Sequence, residues 1–406
     1  VVAECGPVLN FCTGMLKSGE ILFSDGRNLF CSGSVNLKST ARSKDHVSGK
    51  SLLPSIIVTV VVIIIVLATL LGIAGVDPRS WFGNQPRKYS YDRLLMDTDV
   101  NLTFYTGEGA GRADAVAREV FAEMERLENL FSRNLDGSDI CRINENAGKR
   151  PVRVDPQTLE LIEEALHYAA LSEGCFDITI GPLMDSWGFL DGRTSVPPDG
   201  LLRKNLSLVD YRLLDIDHDV GEVFLPLEGM VLDLGAIAKG YIVDRGIDVL
   251  KSEGIAHAFL NAGGDIKVTG GKPGGEPWNV GLLHPRASEM EGNGIMAGIM
   301  LDSSAIVTSG DYERYFEEGG KRYHHLLDPS TGFPAGELLS VTVVAPEAVT
   351  ADALSTAIFV LGPARGMELA ERLPGVEVFL VLPEMKVSYT SGLEGRLKID
   401  PEFSGQ

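Results

Sequence analysis

Helical and strand-like periodicities that mix without a strict βαβ rhythm predict an α+β (mixed α/β) fold for this chain. Two further observations shape that expectation. No internal repeat is present, so the main body reads as one continuous domain. A charge-free apolar window at 51–76 precedes it, and reads as one transmembrane helix.

That window begins the justification. Residues 52–76 read LLPSIIVTVVVIIIVLATLLGIAGV. As a helix they span roughly 37 Å, against a bilayer core of about 30 Å. A soluble core helix keeps a polar face, and a signal peptide has a shorter apolar stretch. The expectation is therefore a single-pass anchor in the lipid bilayer through residues 52–76. Lys38, Arg42, Lys44 and Lys50 precede it, and Arg79, Arg87 and Lys88 follow. The slight excess on the N-terminal side favours an extracytoplasmic location for the large domain. The organisation that results is a tail (1–50) without assigned function, the helix (51–76), a Pro/Gly/Arg linker (77–93) and the main domain (94–400).

Charge divides along the same lines. The chain carries 36 basic and 56 acidic side chains, a net of −20. The tail holds six basic and four acidic residues and the window none, leaving 30 against 52, or −22, after residue 76. Such a domain is no partner for nucleic acid, whose phosphates need a Lys/Arg surplus. Of five cysteines, Cys5, Cys12 and Cys31 lie in the tail with spacings that match no zinc pattern. Cys141 and Cys175 lie beyond the window.

In the main domain 94–105 reads as a strand, with Val100, Leu102 and Phe104 alternating. Residues 112–131 read as a helix, because Val116, Val120, Met124, Leu127 and Phe131 keep three-to-four spacing. Asp155-Pro156 opens a second helix with Leu159, Ile162 and Leu166 on one face. A third covers 236–252 and is closed by Gly254. Strands are expected at 258–260, 278–283, 298–301, 340–344 and 376–382, and Thr350 is expected to cap a fourth helix ending near Gly362.

Four segments carry possible chemistry. In Gly174-Cys175-Phe176-Asp177-Ile178-Thr179-Ile180-Gly181-Pro182-Leu183, followed by Trp187-Gly188-Phe189, turns and an aromatic suit either a planar ligand or a strand, turn and core cluster. Val231 to Gly240 reads as an apolar strand entering a helix through Gly235-Ala236; N–H groups at that helix start, with Lys239 one turn in, suit a phosphate. It lacks the spacing of a phosphate-binding P-loop. Asn261-Ala262-Gly263-Gly264-Asp265 is a tight turn or a close approach to a ligand.

The last segment is a C-terminal cluster: Thr308-Ser309-Gly310-Asp311, then Tyr323-His324-His325-Leu326-Leu327-Asp328-Pro329-Ser330-Thr331-Gly332, then Thr350 to Ala357. Asp352 and Thr356 are four apart on a helix, so both oxygens point from one face. That pair suits Mg²⁺ shared with a phosphate, or a helix-terminal carboxylate beside a back-bonded hydroxyl. Adjacent His324 and His325 face opposite ways, so at most one is catalytic, and Asp328 is the nearest acid to orient it.

Taken in order, FDITIGPL…WGF, DLGAIAKG, NAGGD, TSGD, HHLLDPSTGFP and TADALSTA resemble the ApbE family of FAD:protein FMN transferases, from about Met96 to Leu361. The resemblance implies a single T-fold-like catalytic domain that splits the FAD pyrophosphate with Mg²⁺. FMN would pass to a Thr hydroxyl of an electron-transfer protein, releasing AMP. It implies a metal site at the Ala236 carbonyl, Asp352 and Thr356, with Ser355 adjacent. FAD would lie against Met96, Cys175, Phe176, Asp177, Asp233, Lys239 and Leu326, with His325 as base on the acceptor hydroxyl. An FAD pyrophosphatase giving FMN and AMP, or a non-catalytic FAD-binding protein, are the alternatives. Two departures stand out. Met96-Asp97-Thr98 replaces a frequent Met-Gly-Thr, and Phe131-Ser132-Arg133-Asn134 replaces Phe-Ser-Thr-Tyr, removing a ligand-stacking aromatic, whereas Ser138 and Asn144 keep the pattern.

Overall fold

The computed structural model describes residues 85–189, 192–289 and 294–401, together with Val2, Ala3, Thr59 and Phe403. The predicted span at 51–76, nearly all of the tail and the first part of the linker lie outside the described residues. Among the described residues no helix is long and apolar enough to cross a membrane.

One antiparallel sheet of eight strands organises the domain, and its spatial order follows chain order. Its strands are β1 (Arg87–Leu95), β2 (Thr98–Thr106), β3 (Ala258–Ala262), β4 (Asp265–Thr269), β5 (Ala305–Gly310), β6 (Ser340–Ala345), β7 (Glu377–Val381) and β8 (Val387–Tyr389). Side chains alternate between two cores, as a period of two demands. In β3, Ala258, Leu260 and Ala262 enter the core shared with helices, whereas Phe259 enters the other; in β7, Val378 and Leu380 part from Phe379 and Val381 in the same way. With both faces covered, these strands read as continuous apolar runs.

The helical face carries α1 (Ala110–Phe131), α2 (Pro156–Leu171), α3 (Ala238–Ser252) and α4 (Ala348–Leu361). The residues whose spacing predicts α1 are the ones it buries, from Val116 to Phe131. In α2, Asp155 accepts the Gln157 N–H at 2.9 Å and Pro156 starts the helix, as its sequence predicts. The other face packs against a smaller antiparallel sheet centred on Trp278–Leu283 and Ile295–Leu301, with Val2–Ala3 and Leu397–Ile399 at its edges.

The structure differs from expectation at several points. Residues 94–105 are not one strand, because the chain reverses at Met96-Asp97 between β1 and β2. Residues 87–93, read as linker, belong to β1, which pairs with β2 from Arg87↔Thr106 to Leu95↔Thr98. Its Arg and Lys residues suit an edge strand, where charge blocks further pairing, and hide the strand from hydropathy. Thr350 does not cap α4. The helix starts earlier, and Asp244 of α3 caps it from outside by accepting the Ala348 and Val349 N–H groups, each at 2.9 Å. Thr350 instead meets the Tyr168 hydroxyl at 2.8 Å. Finally, neither 176–180 nor 231–234 is a ladder strand. They meet at one parallel bridge, Ile180↔Val231, and Asn144 supplies the missing neighbour by accepting the Leu232 N–H (2.7 Å) and donating to its carbonyl (3.0 Å). Helix Gly181–Trp187 follows directly.

Candidate active site

A cleft of about 510 Å³ opens where the β1–β2 turn and the β3–β4 hairpin meet the C-terminus of α1, the start of α3 and the side of α4. Met96, Cys175, Phe176, Asp177, Asp233, Ala236, Lys239, His325, Leu326, Asp352 and Thr356 all line it, so residues spread over 260 positions of sequence converge. Ser355 is the exception. It is fully buried, donates its hydroxyl to the Asp352 carbonyl (2.9 Å) and pairs with the Ser309 hydroxyl (2.8 Å), behind the wall of the cleft.

Backbone conformation sets several of these groups. Met96 and Asp97 turn the β1–β2 hairpin with φ of 54° and 55°. This left-handed pair is what a two-residue hairpin turn requires, and a glycine at the second position would meet it without a Cβ. The turn is tied to α1 by the Met96 N–H, which donates to Glu128 at 2.9 Å. At Gly240, a Cβ would stand 2.4 Å from the Ala348 carbonyl oxygen and 2.8 Å from the Asp352 Cβ. Its absence lets α3 and α4 touch, and the Gly240 N–H then donates to Asp352 Oδ2 at 2.9 Å.

Electrostatics concentrate around Asp352, which is 3% exposed. Burial first, and then the neighbouring Asp265, push its carboxyl up from the usual carboxylate range, against the pull of the Lys239 charge. Lys239 does not stand free at a helix start as its sequence suggests. Its ammonium lies 2.7 Å from Asp265 and 4.0 Å from Asp352, and those two charges raise its pKa against the cost of burial. Asp265, at the end of the NAGGD turn, is a member of this cluster that sequence reasoning left without a role. Its signal was a carboxylate placed directly after the Gly263-Gly264 turn, at the start of a strand.

His324 and His325 do face opposite ways. His324 points inward, its Nε2 2.8 Å from the Ala335 carbonyl and its ring edge-on to Phe359. His325 lines the cleft. Its backbone N–H donates to the Arg314 carbonyl at 3.0 Å, while its Nδ1 is shielded from solvent and has no hydrogen-bond partner. Burial, helped by the Arg314 charge, pushes this imidazole down to about 3, so it is neutral at pH 7. Asp328 does not orient it. That carboxylate accepts the Ser330 N–H and hydroxyl at 2.8 and 2.7 Å and shapes its own turn.

Several motif residues have structural work. Asp177 accepts three donors, the Thr179 N–H and hydroxyl and the Tyr211 N–H, so it fixes the loop that carries Cys175 and Phe176. Asp311 of the TSGD segment pairs with both guanidinium nitrogens of Arg286 at 2.7 Å. Trp187 is fully buried, donates to the Gly332 carbonyl at 2.8 Å and stacks on Phe189; its segment is a core aromatic cluster, not a ligand platform. Cys141 and Cys175 are both free thiols. Arg133, at one of the departures from the family pattern, crosses the cleft to reach Asp233 (3.0 Å) and Asp185.

Among the described residues, no group of three or more His, Cys, Asp or Glu side chains forms a metal cluster. The donors that do line the cleft beside Asp352 are oxygens: the Thr356 hydroxyl, 3.4 Å from Ser309, and the backbone of Ala236. Two carboxylates around one ammonium leave this corner with surplus negative charge, which suits a hard divalent cation.

This architecture is that of flavin transferases of known structure. The chain is similar to the crystal structure of the ApbE protein from Thermotoga maritima MSB8 (TM-score 0.69, 34% identity, covering 75% of this chain and 98% of that one). It is similar also to flavin transferase ApbE from Vibrio cholerae (TM-score 0.68, 29% identity, 76% and 98%). The ApbE family model matches residues 96–380, and the chain belongs to the ApbE family. Among curated relatives, the FAD:protein FMN transferase of Treponema pallidum (strain Nichols) is 34% identical over 77% of this chain and 90% of its own length. That of Klebsiella pneumoniae (strain 342) is 34% identical over 79% and 96%.

Proposed function

We propose that this protein transfers FMN from FAD to a Thr hydroxyl of a flavin-accepting electron-transfer protein, leaving a phosphoester and releasing AMP. The observation that carries this reading is the convergence in one cleft of His325, with its unpartnered Nδ1, and the oxygen pair Asp352 and Thr356. A Thr hydroxyl is a poor nucleophile near pH 7, and a neutral imidazole within reach removes its proton as the P–O bond forms. The low basicity of His325 is matched to its substrate, since an arriving pyrophosphate places negative charge beside the ring and raises it. The FAD-facing positions are Met96, Cys175, Phe176, Asp177, Asp233, Lys239 and Leu326.

Asp352, Thr356 and the Ala236 carbonyl would hold Mg²⁺; Ser355, behind the wall, would support Asp352 rather than bind metal. When bound, the ion supplies positive charge against the pyrophosphate. Asp265 and Lys239 hold Asp352 in place, and Leu326 and Phe176 keep water from the reacting phosphorus. Residues 52–76 would anchor the enzyme in a bilayer with the catalytic domain on the extracytoplasmic side, a reading supported by the uncharged apolar run and its flanking charges.

The test incubates the full chain in detergent with FAD, Mg²⁺ and a Thr-containing acceptor, and weighs the acceptor. An FMN adduct with one AMP per transfer is expected, and Asp352→Asn is expected to lose both the product and the Mg²⁺-induced rise in Tm. AMP without an adduct would mean hydrolysis; neither product would sink the enzymatic reading.

A further inference from the structure

Three permanently charged basic side chains line the cleft: Arg133, Lys239 and Arg314. Two are engaged by carboxylates. Arg133 bridges Asp233 and Asp185, and Lys239 sits between Asp265 and Asp352. Among the described residues the Arg314 guanidinium has neither an ion pair nor a side-chain hydrogen bond, and the residue is exposed at the lip. Its place is fixed by its backbone. The Arg314 carbonyl accepts the His325 N–H at 3.0 Å, at the point where hairpin strands Tyr315–Glu318 and Lys321–His324 begin to pair. Arg314, His325 and Lys239 all line this one cleft, and the Arg314 charge depresses the basicity of the other two.

We propose that Arg314 is the cation that holds the substrate pyrophosphate, donating to the non-bridging oxygens of the phosphorus that the acceptor hydroxyl attacks. This rests on the flavin-transfer reading above and names a substrate-binding residue within it. A pyrophosphate brings two negative charges into a cleft dominated by carboxylates, and needs a donor that is not already neutralised. A guanidinium presents paired N–H groups that match two phosphate oxygens. Recruiting Lys239 instead would leave the buried Asp265 without its partner, and Arg133 is already held by two carboxylates. Adjacency to His325 places Arg314 on the side of attack. In the step, the His325 imidazole takes the hydroxyl proton and the acceptor oxygen bonds to the FMN phosphorus. The bond from that phosphorus to the bridging oxygen breaks, and its electron pair leaves with AMP. Arg314 keeps its protons throughout.

The experiment titrates FAD and riboflavin, which lacks the pyrophosphate, into the full chain and its Arg314→Ala and Arg314→Lys variants, with Tm followed in parallel. For Arg314→Ala the FAD Kd is expected to rise at least about tenfold, the loss of a charge-assisted hydrogen bond or two. Riboflavin affinity and Tm are expected to stay unchanged, and Arg314→Lys to recover part of the FAD affinity. Equal FAD affinity in the unaltered chain and Arg314→Ala overturns this assignment alone, as does an equal loss for riboflavin. Failure of the unaltered chain to bind FAD overturns the flavin-transfer reading together with it.

Discussion

His325 and His324 occupy consecutive positions, yet one serves the interior and the other the cleft. The difference comes from strand geometry, which sends neighbours to opposite sides. His325→Ala is accordingly expected to lower the transfer rate at least about a hundredfold, the usual size of a general-base contribution. FAD affinity should stay within about threefold. Single-turnover transfer and FAD titration on one preparation check this, and a parallel loss of binding would make His325 a binding residue. At this scale the family resemblance of the motifs, more than side-chain type, singled out His325 and the Asp352–Thr356 pair, and the cleft brings them together. The sequence was opaque wherever a charge has a distant partner. Nothing near Lys239 in sequence announces Asp265 or Asp352, nothing near Arg133 announces Asp233 and Asp185, and so nothing singles out Arg314 as the cation left over.

Among elements, the contact of α3 with α4 matters most, because it carries Lys239 and Asp352 towards each other. Gly240 permits it. Gly240→Ala should destabilise the domain by about 1–3 kcal/mol, the usual penalty of overpacking against backbone that cannot yield. Gly200→Ala, in the exposed helix Asp199–Leu206 where nothing lies within 4 Å of an added Cβ, should instead gain about 0.5–1 kcal/mol. Urea unfolding of both variants tests the pair, and like-signed changes would remove the special status of Gly240. Long elements with a dominant period, such as α1 and α2, were readable to within a few residues. β1 was not, because an edge strand wears charges that read as linker. Nor was the start of α4, whose cap arrives from Asp244 across a tertiary contact instead of from its own first residue.

For the molecule as a whole, burying carboxylates in an acidic chain ties stability to pH. Glu164 lies partly buried, and that burial, with Asp244 and Glu160 nearby, pushes its carboxyl up to about 7 from 4.5. The folded state therefore binds this proton more tightly than the unfolded chain. Its contribution is complete below about pH 4.5 and is lost as pH rises through 7. Glu164→Gln should flatten that slope, leaving stability at pH 4 unchanged and raising it at pH 8 by about 1 kcal/mol after allowing for solvent screening. Denaturant midpoints across that range decide it; a slope unchanged in the variant would assign the dependence elsewhere. The sheet order has a different consequence. Chain order and spatial order coincide, yet β2 ends at Thr106 and its neighbour β3 starts only at Ala258. Everything between, including α1, α2 and the Cys175–Lys239 wall, is one excursion that must close before the two strands can zip. Such long-range closure costs little stability but delays folding. Asp352 and Thr356 emerge later still during N-to-C synthesis. A nascent chain thus presents the Met96 hairpin long before it owns a cleft, and flavin capture reports that folding has finished.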